Sequence, residues 1–217
     1  MTIHLYGTPT TRAFRSLWML EELGVPYVRV PTGLGATRTP EFLATNPNGH
    51  VPALVDGELR LFESMAINLY LAGRHGRAPF WPAGEPDRAR AVQWSFWALT
   101  ECEAKGFTVL FVRGGEQFDG WRSWSHTDEF RETHRSAKIP DANSAAEAEA
   151  ALRAPLGVLN EQLRGSAADL NVASVLVSVL LARLDLSALP RLRDWLTRCV
   201  SRPAVARATA TETALAG

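Results

Sequence analysis

Residues 3–73 change hydrophobic period repeatedly over a short length, and few folds accommodate the order in which they do so. Ile3-His4-Leu5-Tyr6 alternates as a short strand does and runs into the turn cluster Gly7-Thr8-Pro9. From Thr11 onward, Phe14, Leu17, Trp18, Leu20 and Leu23 recur at helical spacing, and Gly24 and Pro26 supply the stop. Tyr27 to Val30 reads as a second strand, which makes the opening a βαβ unit with an expected right-handed crossover. A Gly- and Thr-containing loop over 31–37 and a short helix near Pro40 to Ala44 follow. Asp56-Gly57 then separates Val51-Pro52-Ala53-Leu54-Val55 from Leu59-Arg60-Leu61; both turn residues tolerate positive φ, so this reads as a tight hairpin. Ile67, Leu69, Tyr70 and Leu71 mark a third helix from Ser64 to about Gly73. The predicted order is β-α-β-α-β-β-α.

Past this point the strand signals stop. Residues 75–87 carry His75, Gly76, Pro79, Pro82, Gly84 and Pro86, a linker composition, with Phe80 and Trp81 expected to pin it to a domain surface. Helical stretches follow over 89–105 (with Trp94, Phe96 and Trp97), 144–164, 169–184 and 189–201, whereas 113–140 shows no clear period. The expected organisation is an α/β domain over 1–75, a linker over 76–86 and an all-helical domain over 87–217, its small-residue tail from Ala204 poorly ordered at the end.

Charge narrows the class of partner. Lys+Arg and Asp+Glu both number 23, so the formal net charge of zero gives no reason to expect nucleic acid or an anionic membrane. No apolar run approaches the roughly 20 residues of a membrane span, and the N-terminus lacks a secretory pattern. Cys102 and Cys199 fit neither a disulfide framework nor a zinc site, so no metal is expected. The expected setting is cytoplasmic and reduced.

A βαβαββα unit, a proline-rich linker and a helical remainder, carried by Leu5-Tyr6-Gly7-Thr8-Pro9, Asn46-Pro47-Asn48-Gly49-His50-Val51-Pro52-Ala53-Leu54, Leu61-Phe62-Glu63-Ser64 and Ala168-Asp169-Leu170-Asn171, resemble the cytosolic glutathione transferase superfamily in its bacterial, serine/threonine type. The resemblance implies a thioredoxin-like N-terminal domain, a helical-bundle C-terminal domain, glutathione as co-substrate, a small electrophilic and largely apolar acceptor as the other partner, and a homodimer. It implies a cis bond between Val51 and Pro52, with the Val51 backbone pairing with the cysteinyl part of glutathione. Ser64 would hold the γ-glutamyl carboxylate at a helix start, where free N–H groups and the dipole favour an anion; the same geometry serves a helix cap. Glu63 would orient the α-amino group, and His50, where relatives often place Lys or Gln, would meet the glycine carboxylate.

The glutathione thiolate is the nucleophile in such chemistry. By resemblance its hydroxyl donor is Thr11, with Thr10 as the alternative and Arg12 adding positive potential; a threonine donates as serine does, but its methyl stiffens χ1. Tyr6 reads as a packing residue. No cysteine stands near the turn, so exchange through an enzyme disulfide is not expected. The acceptor is expected near Trp94, Trp97 and residues of 106–125, although Trp94 and Trp97 also fit a core face. Ser166-Ala167-Ala168-Asp169 matches a helix capping box, directly preceded by Leu163-Arg164-Gly165, where relatives carry a longer loop. Other glutathione-dependent reactions (isomerisation, dehalogenation, peroxide reduction) and a non-catalytic binding or interaction role remain open at this level.

Overall fold

The structure, a computed structural model, describes residues 2–76, 80–114, 139–163 and 170–210. The chain divides into two compact units, the first formed by Met1–Phe96, Ala168–Ser174 and Arg198–Gly217, the second by Trp97–Ala167 and Val175–Thr197.

In the first unit β1 (Ile3–Tyr6), α1 (Ala13–Leu23), β2 (Tyr27–Val30), a 3-10 turn (Leu34–Arg38), α2 (Pro40–Leu43), β3 (Ala53–Asp56), β4 (Leu59–Phe62) and α3 (Ser64–His75) follow in the predicted order. The four strands form one mixed sheet in the order β2-β1-β3-β4, with β1 parallel to β2 and antiparallel to β3, and β3 antiparallel to β4. This is the thioredoxin-like arrangement that the resemblance implies. Ile3, Leu5 and Leu54 on the sheet, and Leu17, Trp18, Leu20, Ile67 and Leu71 on α1 and α3, are all buried. Each such side chain contributes about 1.5–3 kcal/mol of transfer free energy, and Leu54→Ala is expected to cost roughly 2–5 kcal/mol through the cavity it leaves. Helix α1 stops where the sequence says, because Gly24 adopts a left-handed conformation (φ 63°) and returns its N–H to the Leu20 carbonyl. Thr39 caps α2, its hydroxyl accepting from the Phe42 N–H, and Pro40 occupies the first turn where its missing N–H costs nothing.

Helix α4 (Glu85–Trp97) begins four residues before the expected Ala89, since Pro86 sits in its first turn rather than ending the linker. In the linker, a Cβ added at Gly73 would lie 3.6 Å from the Trp81 ring, and the Arg88 guanidinium stacks over the same ring at 5.4 Å. The C-terminal part differs from expectation. A last helix, α9 (Pro203–Thr209), forms where only a small-residue tail is expected. Its small residues explain it: Ala204 and Ala208 are buried, which lets the helix approach α1 closely. Arg202 pairs with Glu22, Arg207 pairs with Glu21 at 2.7 Å, and Arg29 donates to the Ala210 carbonyl at 2.7 Å.

The second unit is helical throughout its described residues. A π-helical turn (Ala98–Glu103) leads into α5 (Ala104–Arg113), which packs on α6 (Ala142–Gln162); α7 (Leu170–Leu181) from Val175 onward and α8 (Pro190–Val200) up to Thr197 complete it. Gly106 is needed for close packing, as a Cβ there would stand 2.5 Å from the Ser178 hydroxyl. Asp141 and Ser144 form a reciprocal capping box at the start of α6, and Asn160 accepts from the Leu192 N–H at the start of α8 at 3.1 Å. The box expected at Ser166–Asp169 and residues 115–138 lie outside the described residues. Among the described residues no helix is long and apolar enough to cross a membrane.

Candidate functional site

Strand register brings the sequence-distant motifs to one place. Tyr6 pairs with Val30 and with Ala53, and Ala53 pairs with Phe62. The end of β1, the start of β3 and the end of β4 therefore share one edge of the sheet. The segments that continue from them, Gly7–Arg12, Val51–Pro52 and Glu63–Ser64, emerge together there. In open α/β sheets, ligand sites commonly form outside the carboxyl ends of strands.

Gly7 fixes how closely two of these segments approach. Its φ is 131°, and a Cβ built on it would stand 2.5 Å from the Ala13 Cβ, 3.2 Å from the Val51 Cβ and 3.6 Å from the Thr11 Oγ1. Only a residue without a side chain lets the start of α1 and the Val51 backbone close on the strand end. The Val51–Pro52 peptide bond is cis, as the resemblance implies. Pro52 is buried, Val51 half-buried and His50 exposed. The preceding loop is tied internally: buried Asn46 donates its amide to the His50 carbonyl at 2.6 Å and accepts from the Asn48 N–H at 3.0 Å. Gly49, at φ 63°, leaves room for Arg38, which donates to the Asn48 carbonyl at 3.2 Å.

On the other side, Glu63 precedes α3 with φ 71° and ψ 113°. A non-glycine residue in that region carries strain of order 1–3 kcal/mol, and such residues gather at functional sites. The exposed Glu63 side chain makes no cap bond, and Ser64, the first residue of α3, is buried. Arg15 Nη1 donates to the Ser64 hydroxyl at 3.3 Å from the interior of α1.

Three threonine hydroxyls stand in the turn before α1. Thr11 donates to the Thr8 carbonyl at 2.8 Å and accepts from the Ala13 N–H at 3.2 Å. Its proton is thus engaged within the turn, and it caps the helix start. Thr8 and Thr10 bond hydroxyl to hydroxyl at 3.0 Å; in such a pair one hydroxyl gives its proton and the other keeps its own for another acceptor. Arg12 is exposed at the N-cap position of α1. Tyr6 packs edge-on against Phe42, 6.0 Å between ring centroids, consistent with a packing role.

Sequence reasoning misses two partners of this region. Arg15 is one; its only sequence signal is a charge inside an apolar stripe, three and four residues before Trp18 and Met19. Asn68 is the other. Fully buried on α3, it donates to the Arg15 carbonyl at 3.3 Å and to the Asn171 amide oxygen at 2.8 Å, and Asn171 in turn donates to the Ser95 hydroxyl at 2.8 Å. Burial pushes the Cys102 thiol up to about 12 and the Cys199 thiol up to about 11, so both remain protonated near neutral pH. Among the described residues no group of His, Cys, Asp and Glu could hold a metal ion.

Residues 1–73 match the family model of the glutathione S-transferase N-terminal domain. Over 76 residues the chain is 46% identical to glutathione S-transferase 3 of Zea mays, a match covering 34% of each protein. Over 106 residues it is 41% identical to the disulfide-bond oxidoreductase YfcG of Escherichia coli K12, covering 45% of this chain and 48% of that one. These matches thus span about a third to a half of the curated relatives. Among solved structures, a glutathione S-transferase-I bound with lactoylglutathione superposes with a TM-score of 0.78 at 26% identity, covering 96% of this chain and 99% of that one.

Proposed function

From a chain whose residues 1–73 belong to the glutathione S-transferase N-terminal domain family and whose fold is that of the cytosolic glutathione transferases, we propose that the protein is a glutathione transferase that activates the glutathione thiol for attack on a small, largely apolar electrophile. One observation carries this reading: Gly7–Arg12, the cis Val51–Pro52 and Glu63–Ser64 meet at a single edge of the sheet. A tripeptide laid along that edge has a partner for each of its parts. The Val51 backbone pairs with the cysteinyl unit. Ser64, with the N–H groups at the start of α3, takes the γ-glutamyl carboxylate, while Glu63 takes the α-amino group. His50, exposed beside Val51, meets the glycine carboxylate.

The thiol then lies toward the threonine turn. Thr11 serves the thiolate by turning its proton from the Thr8 carbonyl to sulfur, a rotation about Cβ–Oγ that moves no heavy atom. Thr10, beside it, is the alternative donor, and Arg12 adds positive potential at the helix start. The thiolate forms a carbon–sulfur bond to the acceptor as the leaving group departs with its electron pair.

A second reading is supported by the similarity to a disulfide-bond oxidoreductase: the same bound thiolate attacks one sulfur of a disulfide, whose S–S bond breaks as the other sulfur leaves as a thiolate, giving a mixed disulfide with glutathione. No enzyme cysteine is required, in keeping with the high-pKa thiols of buried Cys102 and half-buried Cys199.

The test is calorimetric titration with glutathione, followed by turnover of an activated aryl halide and, separately, of a low-molecular-weight disulfide. The proposal expects saturable binding and turnover of the halide. Binding with disulfide turnover alone favours the second reading, and a protein that does not bind glutathione overturns both.

A further inference from the structure

Inside the first unit, an arginine is buried against the hydroxyl assigned above to the γ-glutamyl carboxylate. Arg15, in the first turn of α1, is only 8% exposed, and its Nη1 lies 3.3 Å from Oγ of Ser64, itself 5% exposed. A guanidinium carries donors and no acceptor, so in this bond the serine oxygen accepts. The Ser64 proton is not consumed by Arg15, and it finds no acceptor among the described residues. One face of the hydroxyl is thereby held by a cation and its proton is left for something else.

We propose that Arg15 is a positioning residue for anion capture at Ser64: by donating to Oγ it fixes the hydroxyl with its proton turned toward the incoming γ-glutamyl carboxylate and makes that proton more acidic. The hydrogen bond orients the hydroxyl and polarises it, so the arginine acts on the carboxylate through Ser64. The backbone of Arg15 is itself held, since Asn68 on α3 donates to its carbonyl at 3.3 Å. Helices α1 and α3 are thus tied together at this point by a bond in each direction. Arg12 stands exposed at the helix start on the solvent side, whereas Arg15 acts from within. This inference rests on the glutathione reading above.

The experiment compares wild type, Arg15→Met, Ser64→Ala and the double variant by calorimetry. The two ligands are glutathione and 4-aminobutanoyl-cysteinyl-glycine, which is glutathione without its γ-glutamyl carboxylate. Each single variant is expected to bind glutathione about tenfold more weakly, the size of one charge-assisted hydrogen bond. The double variant should be no more than about twofold worse than Ser64→Ala, because the arginine acts through the serine. The carboxylate-free ligand should not distinguish Arg15→Met from wild type by more than about twofold. Kinetically, KM for glutathione should rise while kcat at saturation is kept. Arg15→Lys, which keeps a charge and a donor, should recover part of the loss, and it carries the same two-ligand comparison if Arg15→Met does not fold. Equal losses for both ligands, or losses that multiply in the double variant, overturn the inference while leaving glutathione binding intact. A wild type that does not bind glutathione overturns the functional reading and this inference with it.

Discussion

Gly7→Ala perturbs the site through geometry alone, adding one methyl group where three segments converge. Two costs can be worked from the structure. First, φ at Gly7 is 131°, a region L-residues rarely adopt, which costs of order 1–3 kcal/mol. Second, the new Cβ would stand 2.5 Å from the Ala13 Cβ and 3.2 Å from the Val51 Cβ. Neither neighbour can rotate away, because a Cβ is fixed by its own backbone. Relief requires the start of α1 to move off the strand end, an overpacking cost of about 1–3 kcal/mol. The sum is roughly 2–6 kcal/mol, and each kcal/mol lowers the melting temperature of a protein this size by about 2–4 °C. Urea unfolding should show the loss as a shifted midpoint, and glutathione affinity should fall as well, since Thr11 and Val51 move with the segments that carry them. A second substitution separates the two costs. Ala13→Gly removes the nearer obstacle, so Gly7→Ala should cost measurably less in that background, leaving mainly the backbone term. An unchanged midpoint for Gly7→Ala, or a cost no smaller beside Ala13→Gly, refutes the reasoning.

Three further perturbations test other links. Thr11→Ala should lower kcat for conjugation about 10- to 100-fold and raise the pH at which activity develops, whereas Thr11→Ser should retain activity; a collapse confined to Thr10→Ala would assign the thiolate to Thr10. Asn171→Leu removes one bond from each of Asn68 and Ser95, which keep their bonds to the Arg15 and Ala91 carbonyls, so at about 0.5–1.5 kcal/mol per bond a loss of roughly 1–3 kcal/mol is expected in denaturant; a loss under about 0.5 kcal/mol would show that the network contributes little. Burial raises the Glu22 carboxyl, but its bonds to Arg202 and Trp18 outweigh that and leave it below the usual carboxylate range. A depressed folded-state pKa adds stability above the unfolded value that is lost as pH falls through the folded one. Glu22→Gln should therefore be less stable than wild type at neutral pH and converge with it in acid, and a gap that persists below the carboxylate range would contradict the assignment.

The order of elements was legible because it depends on local chemistry. A period of two or of 3.6 reports which side of a segment faces the core, Gly57 permits the positive φ of a tight turn, and Gly24 does the same for the end of α1. The motif residues at Val51-Pro52 and Glu63-Ser64 were legible for a related reason: each is a short pattern whose form does not depend on distant residues. Periodicity does not name partners, and here the tertiary structure decided. Arg15 reads as a charge on a helix until α3 brings Ser64 against it, 49 residues away in sequence. Asn68 finds Asn171 across 103 residues, and Arg202 finds Glu22 across 180. The Thr11 proton, too, could be assigned to sulfur or to a carbonyl until the turn closed and put the Thr8 carbonyl 2.8 Å away. Such bonds exist only once hydrophobic burial has folded the chain, because the sequence carries the tendency of each segment to bury a face, while the pairing of buried polar groups depends on which faces meet.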